Sequence, residues 1–237
     1  MRSIYILFQK ELMHYFNSPI AYIFIAVFLL VNNWLFFSTF FIIEQVNMRE
    51  FFHLLPWFFL FFAPAITMRL WAEEKKTGTI EFLLTLPITY WQACLAKFLS
   101  AVAFLTLTLA CTFTIPVSLH YLGNLDIGPI IGSYAGAILL GAAYISLGLF
   151  ISSLTKNQII SLVLGIMACF IFFVIGSDIV TTRIPTAIAP IFQFAGLSYH
   201  FDNISRGVID SKDIIFYLSF IFFFLWLNVK KLELNRK

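Results

Sequence analysis

Residues 20–43 run for 24 positions without a charged side chain. At ~1.5 Å per residue, a helix of that length reaches ~36 Å, enough to cross a ~30 Å hydrocarbon layer with some tilt. Further apolar stretches fall at residues 51–68, 93–119, 129–154, 158–177 and 214–229. The balance of residues agrees: 61% are hydrophobic and only 11% charged, where a soluble domain takes ~25% charged residues to solvate its surface. The sequence therefore predicts an all-α membrane protein with six transmembrane helices, formed as a single domain over residues 1–237.

The polar residues are too scattered for most chemistry. A net charge of +3 with no basic stripe argues against nucleic acid and suits loops facing anionic lipid. Cys94, Cys111 and Cys169 match neither a zinc pattern nor a disulfide framework. His14, His53, His120 and His200 are equally dispersed, so no metal and no cofactor is expected. An intramembrane enzyme needs converging Ser/His, His/Glu or paired Asp residues, and no such pattern is visible. No charged residue falls within the core of a span as drawn, whereas ion-coupled transporters bind their driving ion at such a group. No phosphate-binding G-x-x-x-x-G-K-[ST] loop occurs either. If the chain moves anything, the energy is expected to arrive from another polypeptide through a cytoplasmic contact.

Residues 1–17 do not read as a signal peptide, because Lys10, Glu11 and His14 interrupt the apolar run. At ~100° per residue, Ile4, Tyr5, Phe8, Leu12, Tyr15 and Phe16 share a face, as in an interfacial helix; a lead-in to the first span is the plainer alternative. Ser18 and Pro19 then open the first span as cap and first-turn proline. Pro56 and Pro64 predict a kink in the second. Gly128, Gly132 and Gly136, four apart, either admit a close helix–helix or subunit contact or reflect the ordinary abundance of glycine in membrane helices. With the N-terminus inside, eleven basic residues fall on the inner side and four (Arg49, Arg183, Arg206, Lys212) on the outer. The positive-inside rule thus places both termini in the cytoplasm.

The sizeable cytoplasmic loop is residues 69–92. Gly78, between Thr77 and Thr79, reads as a break, with Thr79 able to cap a short helix containing Ile80, Phe82, Leu83, Leu84 and Leu86, and Glu81 on its polar side. Pro87 ends it. Thr89 and Gln92 form a capping-box pattern opening the third span. The product is a short cytoplasmic helix between spans two and three, either docking into a partner's groove or serving as an interfacial connector with solvated charges at residues 73–76.

Here the sequence resembles a known family. Glu73, Glu74, Lys75, Lys76, then Thr77-Gly78-Thr79-Ile80-Glu81, then Leu83, Leu84, Leu86 and Pro87 are similar to the coupling segment of ABC-2-type transporter permeases. Residues 198–213 resemble the outer segment these permeases carry before the last span. The start, QKEL at residues 9–12 followed by YFNSPIAYI at 15–23, resembles theirs too. Within that family the sequence most resembles the permease of the gliding-motility-associated ABC transporter, though copper-processing and other ABC-2 permeases share much of the same pattern. The resemblance implies a multi-pass protein of the bacterial inner membrane, the permease subunit of an ATP-driven exporter and not itself an enzyme. It also implies two partners, a separate ABC ATPase and a second permease chain, identical or related. It casts Glu73, Glu74, Gly78, Thr79, Glu81, Leu83, Leu84, Leu86 and Pro87 as ATPase-coupling residues, with Gly78 the hinge and the leucines the docking face. Glu73 and Glu74 are expected to pair with basic residues of the N-terminal helix or of the partner. Residues 178–213 are expected to form short helices dipping into the outer leaflet. The competing reading is a mechanotransmission or scaffold subunit that translocates nothing.

Overall fold

The computed structural model describes residues 2–43, 47–80, 88–123, 126–183, 185, 188–207 and 210–234. Its described elements are all helices: α1 (Arg2–Phe16), α2 (Pro19–Ile43), α3 (Arg49–Thr67), α4 (Ala72–Thr77), α5 (Tyr90–Cys111), α6 (Thr114–Leu122), α7 (Ile127–Ser152), α8 (Gln158–Val174), α9 (Asp178–Thr181), α10 (Ala189–Ala195), α11 (Leu197–Ser205) and α12 (Ser211–Leu234). Among the described residues, five helical stretches are long and apolar enough to cross a membrane: Pro19–Phe40, Arg49–Thr77, Tyr90–Leu122, Ile127–Ser152 and Ser211–Leu234. The sixth apolar helix, α8, has 17 residues, which at ~1.5 Å each gives ~25 Å.

The bundle is organised around α7, which packs on α3, α5, α8, α11 and α12. In its apolar window 78% of residues are buried, against 22% in α2, which therefore lies at the periphery. Small side chains allow this central position. A Cβ on Gly141 would stand 2.7 Å from the Leu105 side chain, and one on Gly136 would stand 2.8 Å from Ile204. Without driving force from water, helices in lipid gain from such close van der Waals contact.

Two long helices differ from the expected spans. The third breaks at Thr112–Phe113, between α5 and α6. Pro116 has no N–H to give the Thr112 carbonyl, and Thr112 Oγ1 instead donates to Leu109 O at 2.6 Å. The last helix starts at Ser211 and runs to Leu234, so it carries Asp213 within its first turn and Lys230 and Lys231 on its last turns. α3 continues helically through both of its prolines. The Thr89–Gln92 capping box is present, with Gln92 N donating to Thr89 Oγ1 (3.3 Å) and Thr89 N to Gln92 Oε1 (3.1 Å).

α1 lies against α5 and α2, but rotated from the expected face. Tyr5 is 64% exposed, while Glu11 and Tyr15, one turn apart, are buried. The segment before the last span does form short helices. α11 packs into the bundle against α3, α7, α8 and α12, burying Leu197, Phe201 and Ile204. Gly176 and Gly196 meet backbone to backbone, which admits no side chain at either position.

Candidate coupling site

A single short helix, α4, sits where α3 ends. Its acids, Glu73 and Glu74, occupy the first turn and its lysines, Lys75 and Lys76, the last, matched to the helix dipole. The backbone donors that open a helix have no intrahelical partner. Here Trp71 N and Ala72 N both donate to Ser152 Oγ, at 3.1 and 3.2 Å, and that hydroxyl donates to Met68 O at 3.0 Å. Lys75 Nζ donates to the Ser153 carbonyl. The C-terminal end of α7 thus grips α4 at both ends.

Lys97 ties the same helix to two others. Its ammonium is bound by Glu74 Oε1 at 2.6 Å and Glu11 Oε1 at 3.0 Å, and stands 5.0 Å from the Trp71 ring centroid. Lys97 is 2% exposed and Trp71 fully buried. One cation therefore joins α1, α4 and α5. Nearby, Tyr15 of α1 donates through its hydroxyl to Ile66 O of α3 (3.0 Å) and stacks on Phe104 of α5. Burial pushes the Tyr15 hydroxyl above its usual range, so it remains a neutral donor. Lys75 is held below the ordinary lysine value, first by burial and then by Lys231 and Lys156. Three lysines from three separate loops or helix ends therefore gather at this end of the bundle.

Gly78 ends α4 in the left-handed region, at φ +74°. A Cβ there would meet nothing within 4 Å, so the demand for glycine comes from backbone conformation and not from crowding. Helical backbone resumes at Thr79 and Ile80. The Thr79 hydroxyl lies 2.9 Å from that of Thr77 and reaches the Glu74 carbonyl at 3.5 Å. A cleft of about 520 Å³ separates α1 from residues 69–79, and Glu73, Glu74 and Thr79 line it together with Lys10 and Glu11.

The expected coupling residues therefore divide. Glu73, Glu74 and Thr79 line this cleft and Gly78 stands between Thr77 and Thr79 of its wall, while Glu81, Leu83, Leu84, Leu86 and Pro87 lie outside the described residues. Glu74 pairs with Lys97 of α5 and not with a basic residue of α1, whose contribution to the cluster is the acid Glu11. Along α7, Gly128 has no neighbour within 4 Å of a built Cβ, Gly132 is buried, and Gly136 faces Ile204 and Phe201 of α11.

The sequence reading missed Lys97, Glu11, Trp71, Ser152 and Ser153. The one signal available for them was Lys97 itself, a charge seven residues inside an apolar helix. It also missed a second polar pair near the other end of α12. His200 Nδ1 lies 2.6 Å from Asp213 Oδ1 and Nε2 lies 2.9 Å from Phe194 O. Both side chains are fully buried, and the His200 ring stacks on Phe216 at 3.9 Å. Both ring nitrogens face oxygen acceptors, which leaves neither to activate a nucleophile.

The family model described as "ABC-2 family transporter protein" matches residues 30–193. No curated protein matches the chain.

Proposed function

The chain belongs to the ABC-2 family of transporter proteins, and from that premise we propose that it is the transmembrane permease subunit of an ATP-driven exporter, coupled to a separate ABC ATPase chain. The observation that carries the coupling reading is the attachment of α4. Its links run to α7 through Ser152 and Ser153, to α5 and α1 through Lys97, and to the following segment through the left-handed Gly78. A push on the segment after Gly78 meets a short helix with polar links to three others, so displacement there is carried into the bundle. ATP hydrolysis is placed in the partner.

Six crossings with both termini in the cytoplasm fit this reading. Lys75, Lys156 and Lys231 come together at the α1 end, as the positive-inside rule requires of a cytoplasmic face. Residues of three other loops, Asn47, Asp126 and Arg206, share a cleft of about 280 Å³, which we assign to the outer end. With α8 as a short crossing, the chain passes between the two ends six times. A bacterial inner membrane, a second permease chain and kinship with gliding-motility permeases follow from the sequence resemblance. Transport is favoured over pure mechanotransmission because α11 is packed into the bundle, leaving little described chain outside to grip an external partner.

The test is co-expression with a cognate ABC ATPase, purification in nanodiscs and measurement of ATP turnover. The wild-type chain is expected to co-purify with the ATPase and stimulate it. Gly78→Val, which forces a β-branched residue into the left-handed region, is expected to abolish stimulation while leaving the bundle's melting temperature near the parent's. A wild-type chain that neither binds nor stimulates such an ATPase would refute the permease assignment.

A further inference from the structure

Beside the coupling cleft lies a smaller one of about 230 Å³, where α1 turns into α2 against the end of α3. Its lining is of two kinds: the apolar Ile20, Ala21 and Phe24 of the first turns of α2 with Phe104 of α5, and the charged Arg69 and Glu73. Arg69 is held in place by its stacking over the Tyr15 ring, 4.9 Å from the centroid, and Tyr15 is itself pinned to Ile66 O. Yet the Arg69 guanidinium makes no hydrogen bond or ion pair with any described residue, and neither does the Glu73 carboxylate. A half-buried cation and a half-buried anion thus share one cleft without joining each other.

That is the complement of a headgroup carrying both charges. We propose that this cleft binds an aminophospholipid of the inner leaflet, its phosphate on Arg69 and its primary ammonium on Glu73. Guanidinium donors suit phosphate oxygens in number and geometry, and a carboxylate accepts from a primary ammonium, which offers three donors, but not from a quaternary one. The volume lies below the ~300–1,000 Å³ of pockets that enclose a drug-sized ligand, so it takes a headgroup and not a whole lipid. The acyl chains leave along the apolar wall, where Ile20 is 47% exposed and opens toward the bilayer. His14 and Gln158 complete the polar rim. The inference rests on α1 lying at the membrane surface and not on ATPase coupling, so its failure would leave the permease reading standing.

The full chain, purified in detergent and equilibrated with equimolar dioleoyl phosphatidylethanolamine, phosphatidylcholine and phosphatidylglycerol, is read by native mass spectrometry for retained lipid. Phosphatidylethanolamine is expected to be retained about tenfold over the other two, the scale of one charge-assisted hydrogen bond. Glu73→Gln, at a half-exposed position without a partner, is expected to reduce it to the level of phosphatidylcholine. Arg69→Gln is expected to lower retention of all three lipids. Equal retention by the wild-type chain, or a preference that survives Glu73→Gln, would overturn the proposal. Displacement of the lipid by soluble phosphoethanolamine at equal concentration would overturn the lipid in favour of a free small-molecule ligand.

Discussion

At Lys97 two carboxylates meet one ammonium; Lys97 and Glu11 are buried and Glu74 is largely so, at the wall of the cleft. The cluster holds one negative charge in excess, so its members are not equivalent. Lys97→Met leaves Glu11 and Glu74 without a cation, and breaking a buried ion pair from one side costs about 3–5 kcal/mol. Glu11→Gln removes the excess charge and leaves Glu74–Lys97 as a matched pair with a neutral acceptor beside it, at a cost expected to stay below about 1 kcal/mol. Thermal unfolding of the detergent-solubilised chain separates the two: a large drop for Lys97→Met and a small one for Glu11→Gln. Equal melting of Lys97→Met and parent would mean that the cluster is hydrated and not structural. Gly78 was legible in the sequence because a glycine between two threonines, ahead of an apolar run, has few other uses. Lys97 was not, because its partners stand 86 and 23 residues away and nothing local to it announces either of them.

Helix types and most boundaries were legible for a similar reason, since hydrophobic runs and capping residues are local signals. Helix faces were not. The periodicity of α1 gathers its apolar residues on one side, but the structure turns Glu11 inward because a buried lysine on α5 requires an acid there, and Tyr5 is displaced to the surface. Residues 178–213 carry the short helices expected of them, but nothing in their sequence announces how deeply α11 is buried, held by a pair that links it to α12. His200 offers two ring nitrogens to two acceptors, and Tyr217 of α12 donates to Leu197 O at 2.7 Å. Truncating either member, as His200→Leu or Asp213→Leu, strands a buried polar partner. Each is expected to cost about 3–5 kcal/mol, while the double variant costs clearly less than the sum, with a coupling of about 1–3 kcal/mol. Melting temperatures of the four proteins in the cycle measure it, and strict additivity would dissolve the link. Amide exchange in residues 197–205 is expected to quicken in both single variants, because α11 is docked through this pair while the bundle around α7 does not depend on it.

For the whole molecule the open quantity is the parity of crossings, and α8 decides it. Its 17 residues make ~25 Å, a few ångströms short of a typical hydrocarbon core. A helix that short is accommodated by local thinning of the bilayer or by flanking residues. Gly176 against Gly196, and Ser198 Oγ donating to Phe173 O at 2.9 Å, bind its far end to α10 and α11. The connection therefore continues at that end instead of returning. If α8 crosses, Arg49 and Lys212 face one compartment and Lys156 and Lys231 the other. If it only dips and turns back, Lys212 joins Lys156, and α12 runs in the opposite sense. Single cysteines placed at Arg49, Lys156 and Lys212, in a background with Cys94, Cys111 and Cys169 replaced by alanine, report the difference through a membrane-impermeant maleimide applied to right-side-out vesicles. Positions 49 and 212 are expected to label and position 156 to stay protected until the membrane is permeabilised. Labelling at 49 alone would reduce the count to five crossings, move the end of α12 outside, and separate Lys231 from the Lys75 that it approaches in the structure. That last consequence would set Lys231 apart from Lys75, whose charge it disfavours in the structure, so the six-crossing arrangement is the outcome expected of the labelling.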